Sequence, residues 1–298
     1  MATQIPSLML ANGVAMPVAG LGVYRSGPED TLRAVGSALR LGYRLIDTAA
    51  AYGNEAQVGE SIRRSGIARE TLFVTTKLWI SDYGYDRALH GFDRSLGKLG
   101  LETVDLYLLH WPMPGEWART VASWKAAARL LAEGRVRAIG VSNFSPGHLA
   151  ALIAQTDVTP MVNQIELHPF FTQRDLRAAD ERLGIVTQAW SPIGGVNRYF
   201  RDAPDAASDP LSHPVITGLA ARHGRTPAQI VLRWQIEHGV SVIPKSVRDA
   251  RIAENIAIFD FALSTDEVAA IDALDSGARG GPDPEKVDTA LFSFTVAD

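Results

Sequence analysis

Apolar and polar positions divide the chain into two alternating kinds of segment. Short, nearly continuous apolar runs are typical of buried parallel strands. Eight of them occur, at 18–22, 43–47, 72–78, 104–110, 136–141, 161–166, 185–190 and 240–244. Most intervening segments carry apolar residues at helical spacing, such as Leu32, Val35 and Leu39. Strands that alternate with helices in this way predict an α/β fold, a single-domain (β/α)8 TIM barrel over residues 1–298.

The two ends of the chain depart from this alternation. Residues 7–18, "SLMLANGVAMPV", are two apolar runs around Asn12-Gly13, which predicts an N-terminal β-hairpin that we expect to close the bottom of the barrel. Residues 276–298 begin with "SGARGGPDPEK" and predict an irregular C-terminal loop and tail. The alternative fold is an open doubly wound sheet, but a strand-to-helix G-x-G-x-x-G fingerprint is missing.

Several helix ends are marked by local residues. Ser145 before Pro146 and Asn54 three residues before Gln57 are capping patterns, and Gly134 stands where a helix should stop. Ser246 with Asp249 three residues later predicts one more helix start.

Composition narrows the class of function. The chain has 46% apolar residues and a net charge of −4 without a block of like charges, which argues against nucleic acid or an anionic membrane as partner. It has no cysteine, so disulfides, thiolate catalysis and cysteine-ligated zinc are excluded. The N-terminus lacks the pattern of a signal peptide, and no apolar run reaches the roughly 18 residues of a membrane helix. We therefore expect a soluble cytoplasmic protein with a small-molecule substrate.

Three successive predicted strands end on titratable residues. The second ends in Asp47, the third in Lys77 and the fourth in His110, while Tyr52 follows the second strand by five residues. Each of these residues alone has an ordinary structural explanation, such as a turn, a solvated strand end or packing. Together they point to chemistry, because the carboxyl ends of neighbouring barrel strands meet at one rim, where barrel enzymes place their active sites.

The four side chains suggest a device for protonating a carbonyl oxygen. We expect Lys77 to lower the pKa of the Tyr52 phenol and Asp47 to hold Lys77 charged, so that Tyr52 serves as a general acid. A neutral His110 would donate a hydrogen bond to an oxygen that gains negative charge. Nothing in this set supplies electrons, so a nicotinamide cofactor is the obvious hydride source.

At this point the sequence resembles the aldo-keto reductase family over nearly its whole length. The resemblance rests on eight motifs in order, namely "GYRLIDTAAAYGNE", "VTTKLW", "VDLYLLHWP", "IGVSNF", "NQIELHP", "QAWSPIG", "TPAQIVLRW" and "IPKSVRDARIAENI". It is most similar to the prokaryotic branch that includes the 2,5-diketo-D-gluconate reductases. The resemblance implies NADPH-dependent reduction of aldehydes and ketones, with Asp47, Tyr52, Lys77 and His110 as the catalytic tetrad and Tyr52 as the proton donor.

The resemblance also implies a cofactor site. Ser142, Asn143 and Gln164 would bind the nicotinamide carboxamide, and Trp190, where many members have Tyr, would stack on the ring. The full set that the family positions imply is Gly22, Ser142, Asn143, Gln164, Trp190, Ser191, Lys245, Ser246, Val247, Arg251, Glu254 and Asn255. Within it, the cations Lys245 and Arg251, with no acid placed to bind a ribose 2′-hydroxyl, favour NADPH over NADH.

The sequence says less about the substrate pocket and about the alternative functions. Tyr24, Trp79 and Trp111 follow three of the strands and could wall the site, with Trp117 as a further candidate and no metal implied. Arg198 and Arg201 lie in the loop of residues 194–214, and the favoured interpretation is that their charges are simply solvated. Two other functions remain open: a cofactor-binding regulatory relative with little turnover, and a metal-dependent hydrolase using His110, Glu166 and His168. We expect a monomer.

Overall fold

Eight parallel strands form the centre of the computed structural model, which describes residues 5–196 and 209–296. They run in the order of the chain, and each is paired with the next. Their bounds are β3 Gly20–Gly22, β4 Leu45–Asp47, β5 Phe73–Leu78, β6 Val104–Leu109, β7 Val136–Ser142, β8 Val162–Glu166, β9 Val186–Trp190 and β10 Ser241–Val242. Parallel bridges from Ala19 to Val242 and from Gly22 to Lys245 join the first strand to the last. The sheet is therefore a closed barrel, and the open doubly wound sheet is excluded.

Helices surround this barrel on the outside. Their bounds are α1 Pro28–Arg40, α2 Glu55–Ser65, α3 Tyr85–Leu99, α4 Trp117–Ala132, α5 Pro146–Thr156, α6 Arg174–Arg182, α7 Pro214–His223, α8 Pro227–Glu237, α9 Asp249–Ile256 and α10 Thr265–Asp272. The predicted helical spacing is confirmed where it was most regular, since Val35 and Leu39 of α1 are buried. Among the residues that the structure describes, none of the helices has the length and apolar character needed to span a bilayer.

The N-terminal hairpin covers the amino ends of the strands, as predicted. It consists of β1, Ser7–Met9, and β2, Ala15–Pro17, which pair antiparallel. The turn between them places Gly13 at φ 83°, a backbone conformation that favours glycine. Leu10 and Met16 are buried in one cluster with residues such as Leu45 and Phe73, the first residues of β4 and β5. The functional groups are thus left to the opposite, carboxyl end of the barrel.

The predicted caps had mixed outcomes. Ser145 caps α5 through the backbone N–H of His148, whose side chain accepts in return from the Ser145 N–H, so that prediction is confirmed. The Asn54 cap is wrong, because no side-chain bond caps α2. Instead, the Asn54 side chain accepts a hydrogen bond from the Thr48 hydroxyl at 2.7 Å and donates to the Val23 carbonyl at 2.9 Å. It therefore ties together two loops at the carboxyl rim.

Candidate active site

The four predicted catalytic residues lie at the carboxyl ends of three adjacent strands. Asp47 is the last residue of β4, Lys77 the penultimate residue of β5, and His110 follows β6 directly. Tyr52 ends a short 3-10 turn, Ala50–Tyr52, in the loop after β4. Pairing of β4 with β5 and of β5 with β6 brings these positions side by side.

A buried ion pair is the centre of the group. Lys77 Nζ lies 2.6 Å from Asp47 Oδ1, and the two side chains are 0% and 2% exposed. Burial raises the pKa of Asp47 and lowers the pKa of Lys77, while the attraction between them opposes both shifts. The ammonium also donates to the Thr48 carbonyl at 2.9 Å and to Tyr52 Oη at 3.3 Å. All three of its hydrogens have acceptors, which fixes the direction in which each points.

The pKa of Tyr52 is shifted in the direction opposite to the one predicted from its neighbour Lys77. Burial raises it well above the ordinary value, and the negative charge of Asp47 adds to the shift. The predicted lowering by Lys77 is therefore wrong for the protein alone, because desolvation of the phenolate and its repulsion from Asp47 exceed the attraction of one ammonium. The phenol is accordingly protonated at neutral pH, which is the state that a proton donor needs.

His110 is a neutral imidazole in this site. Burial, together with the positive charge of Lys77, holds its pKa well below the usual range. Its ring centroid lies 5.6 Å from that of Tyr52 and 5.1 Å from that of Trp79, with the planes nearly perpendicular in both pairs. Its Nδ1 atom is buried and has no hydrogen-bond partner among the described residues. Both effects favour the neutral imidazole on which the predicted role depends.

Gln164 supports the second oxygen of Asp47. Its amide nitrogen donates to Asp47 Oδ2 at 2.8 Å and to Gln188 Oε1 at 2.7 Å, so both amide hydrogens have acceptors. Gln188 in turn donates to the Ser241 hydroxyl at 3.0 Å. Toward any further group, Gln164 can only accept through its carbonyl oxygen. Sequence reasoning missed Gln188, although a buried amide in a barrel strand was an available signal.

The candidate nicotinamide residues are also brought together on this rim. The Ser142 hydroxyl donates to the Gln164 backbone carbonyl at 2.8 Å, and Asn143 Nδ2 donates to Ser142 Oγ at 3.0 Å. Trp190 Nε1 donates to Asn143 Oδ1 at 2.8 Å. Ser191 follows at φ 52°, and its hydroxyl accepts from the Val196 N–H at 2.6 Å.

The candidate phosphate residues lie where β3 meets β10 and at the start of α9. Gly22 donates its backbone N–H to the Pro244 carbonyl at 3.3 Å, and a Cβ there would approach the Ile243 carbonyl oxygen to 2.8 Å. Arg251 is exposed and Lys245 partly so, and neither forms an ion pair with any residue in the described ranges. Burial lowers the pKa of Lys245.

The predicted start of α9 at Ser246 is wrong. The helix begins at Asp249 after Arg248, because the Ser246 hydroxyl accepts the Arg248 N–H at 3.1 Å and closes a local turn instead. The Val247 carbonyl accepts from Arg33 at 3.3 Å. Glu254 accepts from the Thr226 hydroxyl at 2.6 Å, and Asn255 is buried.

Aromatic side chains surround the tetrad. Tyr24 packs on Tyr52 with centroids 5.0 Å apart, and Trp79 and Trp111 are both buried. The C-terminal tail adds Phe292, 5.3 Å from Trp79 and 5.7 Å from Trp111. Trp117 does not join this wall, because its ring contacts are with Phe144 and His148.

The tail thus folds over the rim, a contact that the sequence did not predict. Phe294 stacks on Trp79 with centroids 4.6 Å apart, and its backbone carbonyl accepts from Trp79 Nε1 at 3.2 Å. The residues involved are 215 positions apart. Arg198 and Arg201 lie outside the described residues.

Comparison with known proteins identifies the family. The sequence model of the aldo/keto reductase family matches residues 18–276. The chain belongs to the aldo/keto reductase family. The predicted family is thereby confirmed, while the resemblance to the 2,5-diketo-D-gluconate reductase branch stays a prediction.

Several members of the family are similar to this aldo/keto reductase over their whole length. Morphine 6-dehydrogenase of Pseudomonas putida is 56% identical over 297 residues, which is 99% of this chain and 100% of the relative. Glyoxal reductase of Bacillus subtilis is 44% identical over 94% of this chain and 97% of its own. Among solved structures, the Brucella melitensis aldo/keto reductase has a TM-score of 0.85 at 47% identity, covering 91% of this chain and 100% of that one. The Bombyx mori aldo-keto reductase, solved in complex with NADP, has a TM-score of 0.86 at 36% identity and covers 98% of both chains.

The metal-hydrolase alternative does not fit the geometry of this aldo/keto reductase. His168 Nε2 lies 3.1 Å from Glu166 Oε1, but the Glu166 carboxylate is already an acceptor for the backbone N–H groups of Gly280 and Gly281. Within the described part of the chain, no three histidine, aspartate or glutamate side chains are grouped so that they could hold a metal ion.

Proposed function

We propose that this aldo/keto reductase reduces aldehydes and ketones to alcohols with NADPH, with Tyr52 as the proton donor. The observation that carries the proposal is the hydrogen bond from Lys77 to Tyr52 Oη at 3.3 Å. Because Lys77 is the donor in this bond, the phenolic hydrogen remains free to point at a substrate oxygen. A partly buried, protonated phenol whose hydrogen is not used by a neighbour is arranged as a general acid.

The residues present fit a phosphorylated dinucleotide. Lys245 and Arg251, which form no ion pair with a carboxylate within the described residues, would bind a 2′-phosphate, and Ser246 would assist. Val247, Glu254, Asn255 and Gly22 would line the rest of the cofactor site. Gln164, Ser142 and Asn143 would bind the carboxamide, with Trp190 and Ser191 against the ring. When bound, NADPH supplies the hydride that the protein lacks.

The protein's own groups account for the rest of the reaction. As hydride adds to the carbonyl carbon, Tyr52 gives its proton to the carbonyl oxygen, and the neutral His110 donates a hydrogen bond to the same oxygen. Tyr52 Oη, which would then carry the negative charge, lies 3.3 Å from Lys77 Nζ in the structure. Lys77 therefore acts by stabilising the phenolate product, while Asp47 keeps the ammonium charged and oriented.

The surrounding aromatic side chains suggest an apolar substrate. Trp79, Trp111, Tyr24 and the tail residues Phe292 and Phe294 enclose the tetrad. Such a wall would exclude water while charge develops on the substrate oxygen. The names of two relatives, a glyoxal reductase and a morphine 6-dehydrogenase, favour testing both a small dicarbonyl and a bulky polycyclic ketone.

A spectrophotometric screen tests the proposal. NADPH oxidation is followed with purified protein and a panel of aldehydes, α-dicarbonyls, keto-sugars and polycyclic ketones, with Tyr52→Phe as the matched control for background oxidation. We expect turnover of several carbonyl compounds by the wild type only. NADPH binding without turnover of any compound would instead support the alternative of a regulatory relative.

We also propose that the protein acts as a cytoplasmic monomer. Light scattering coupled to size-exclusion chromatography checks the oligomeric state, and fractionation of the source cells checks the compartment. A dimer, or recovery outside the cytoplasm, would contradict this part of the proposal.

A further inference from the structure

We infer that Glu166 is a positioning residue that locks the C-terminal segment against Trp190 and so fixes the orientation of the indole ring. The link to catalysis rests on the proposed function, in which Trp190 stacks on the nicotinamide. The Glu166 carboxylate lies outside the tetrad, and the backbone segment that it binds is more than a hundred residues away in sequence.

The first support is the set of contacts at the carboxylate. Glu166 is the last residue of β8 and is fully buried. Its Oε1 accepts the Gly280 N–H at 2.6 Å, and its Oε2 accepts the Gly281 N–H at 2.9 Å. Hydrogen bonds from backbone N–H groups to a buried carboxylate are among the stronger kinds in proteins. The two bonds engage successive residues and therefore set both the position and the direction of the segment.

The second support is the contact between that segment and the indole. A Cβ on Gly281 would lie 2.7 Å from Trp190 Cη2 and 2.9 Å from Glu166 Oε2. The Gly281 backbone thus lies directly against one edge of the ring, and only glycine fits there. At another point of the ring, Trp190 Nε1 donates to Asn143 Oδ1 at 2.8 Å. The ring is therefore held at two points, and the contact at one of them depends on Glu166.

The third support is that the segment has an independent anchor nearby. The N–H groups of Ser276 and Ala278 both donate to the Phe170 carbonyl at 3.2 Å. Asp275 also accepts from the Thr172 hydroxyl. These bonds hold the start of the segment to the barrel without Glu166. Loss of the Glu166 carboxylate should therefore release the stretch next to Trp190 while the barrel stays folded.

The test needs a readout that does not depend on turnover. The protein has six tryptophans, so fluorine NMR of fluorotryptophan-labelled full-length protein gives a small set of resonances, and Trp190→Tyr assigns that of Trp190. We expect Glu166→Ala and Gly281→Ala to shift or broaden the Trp190 resonance and to leave those of Trp124 and Trp234, which are buried elsewhere, unchanged. Glu166→Gln keeps one carbonyl acceptor and should lie between Glu166→Ala and the wild type.

Ligand affinities then test whether the orientation of the Trp190 ring affects cofactor binding. Adenosine 2′,5′-bisphosphate lacks the nicotinamide, so it serves as the matched control ligand. We expect Glu166→Ala and Gly281→Ala to weaken NADPH binding by about tenfold, the scale of one charge-assisted hydrogen bond, and to leave the affinity for the bisphosphate unchanged. Equal losses for both ligands would show a general structural role and overturn the inference.

The remaining outcomes are also decisive. An unchanged Trp190 resonance in Glu166→Ala and Glu166→Gln would overturn the positioning of the ring. If the wild type binds the bisphosphate but not NADPH, the proposed function fails, whereas the NMR result still decides whether Glu166 positions Trp190.

Discussion

The buried pair of Asp47 and Lys77 gives a quantitative prediction about the link between stability and catalysis. The two side chains are 2% and 0% exposed and their charged atoms are 2.6 Å apart. Removing one member leaves the other as an unpaired buried charge, which destabilises proteins by roughly 3–5 kcal/mol. We therefore expect large losses of stability from Asp47→Asn and from Lys77→Met.

The size of each loss is limited by protonation. In Asp47→Asn, Lys77 can become neutral. From an ordinary lysine pKa of 10.5, this costs ~5 kcal/mol at about pH 7, at about 1.4 kcal/mol per pH unit. In Lys77→Met, Asp47 can take up a proton. From an ordinary pKa of 3.8, this costs ~4 kcal/mol at about pH 7. In the double variant, no charge is buried at this place, and we expect it to be more stable than either single variant.

The two single variants should depend on pH with opposite signs. When folded Lys77 is neutral, the unfolded chain binds more protons, so the unfolding free energy of Asp47→Asn should rise with pH. When folded Asp47 is protonated, the folded chain binds more protons, so that of Lys77→Met should fall with pH.

Denaturant unfolding at several pH values measures these effects, and NADPH oxidation measures activity in parallel. We expect a double-mutant coupling of at least ~3 kcal/mol and loss of turnover in all three variants. Additive losses, or single variants whose stability does not change with pH, would refute the account of a buried, mutually dependent pair.

Three further predictions concern other parts of the molecule. Arg251→Ala should weaken NADPH roughly 10- to 100-fold but leave NADH nearly unchanged, as measured by fluorescence titration. Arg87→Ala, an exposed cation of α3, is the control, and equal losses for both cofactors would contradict a 2′-phosphate site. Burial raises the pKa of Asp180 to about 7, so the unfolding free energy should fall as pH rises from about 4 to about 7. Asp180→Asn should reduce that fall in denaturant titrations, and an undiminished fall would exclude Asp180 as its source. Phe294→Ala removes the stacking on Trp79 and should raise the ratio of kcat/KM for bulky over small ketones by about tenfold. An unchanged ratio would show that the tail does not limit substrate size.

Much of the fold and of the tetrad was predictable because their signals are local. A buried strand is a short apolar run, and the residue at its carboxyl end can be read directly from the sequence, as for Asp47, Lys77 and His110. Closure of the barrel then requires that these residues meet. Family resemblance added the cofactor residues, which stay proposals.

The features that could not be predicted from the sequence depend on tertiary contacts. The pKa of Tyr52 is raised by burial and by the negative charge of Asp47, and these effects exceed the lowering that was predicted from Lys77. The hydroxyl of Ser246 and the amide of Asn54 found partners other than the helix ends that their spacing suggested. Phe294 reaches Trp79 across 215 residues through a tail without any periodic pattern.

Single-turnover kinetics of Tyr52→Phe test the central claim most directly. NADPH affinity is measured first, and the rate of NADPH oxidation is then followed after rapid mixing with a carbonyl substrate found by the screen. We predict wild-type affinity for NADPH and a rate reduced by roughly 100- to 10,000-fold, the usual contribution of a general acid. A rate close to that of the wild type, at unchanged NADPH affinity, would contradict the assignment of the Tyr52 phenol as the proton donor.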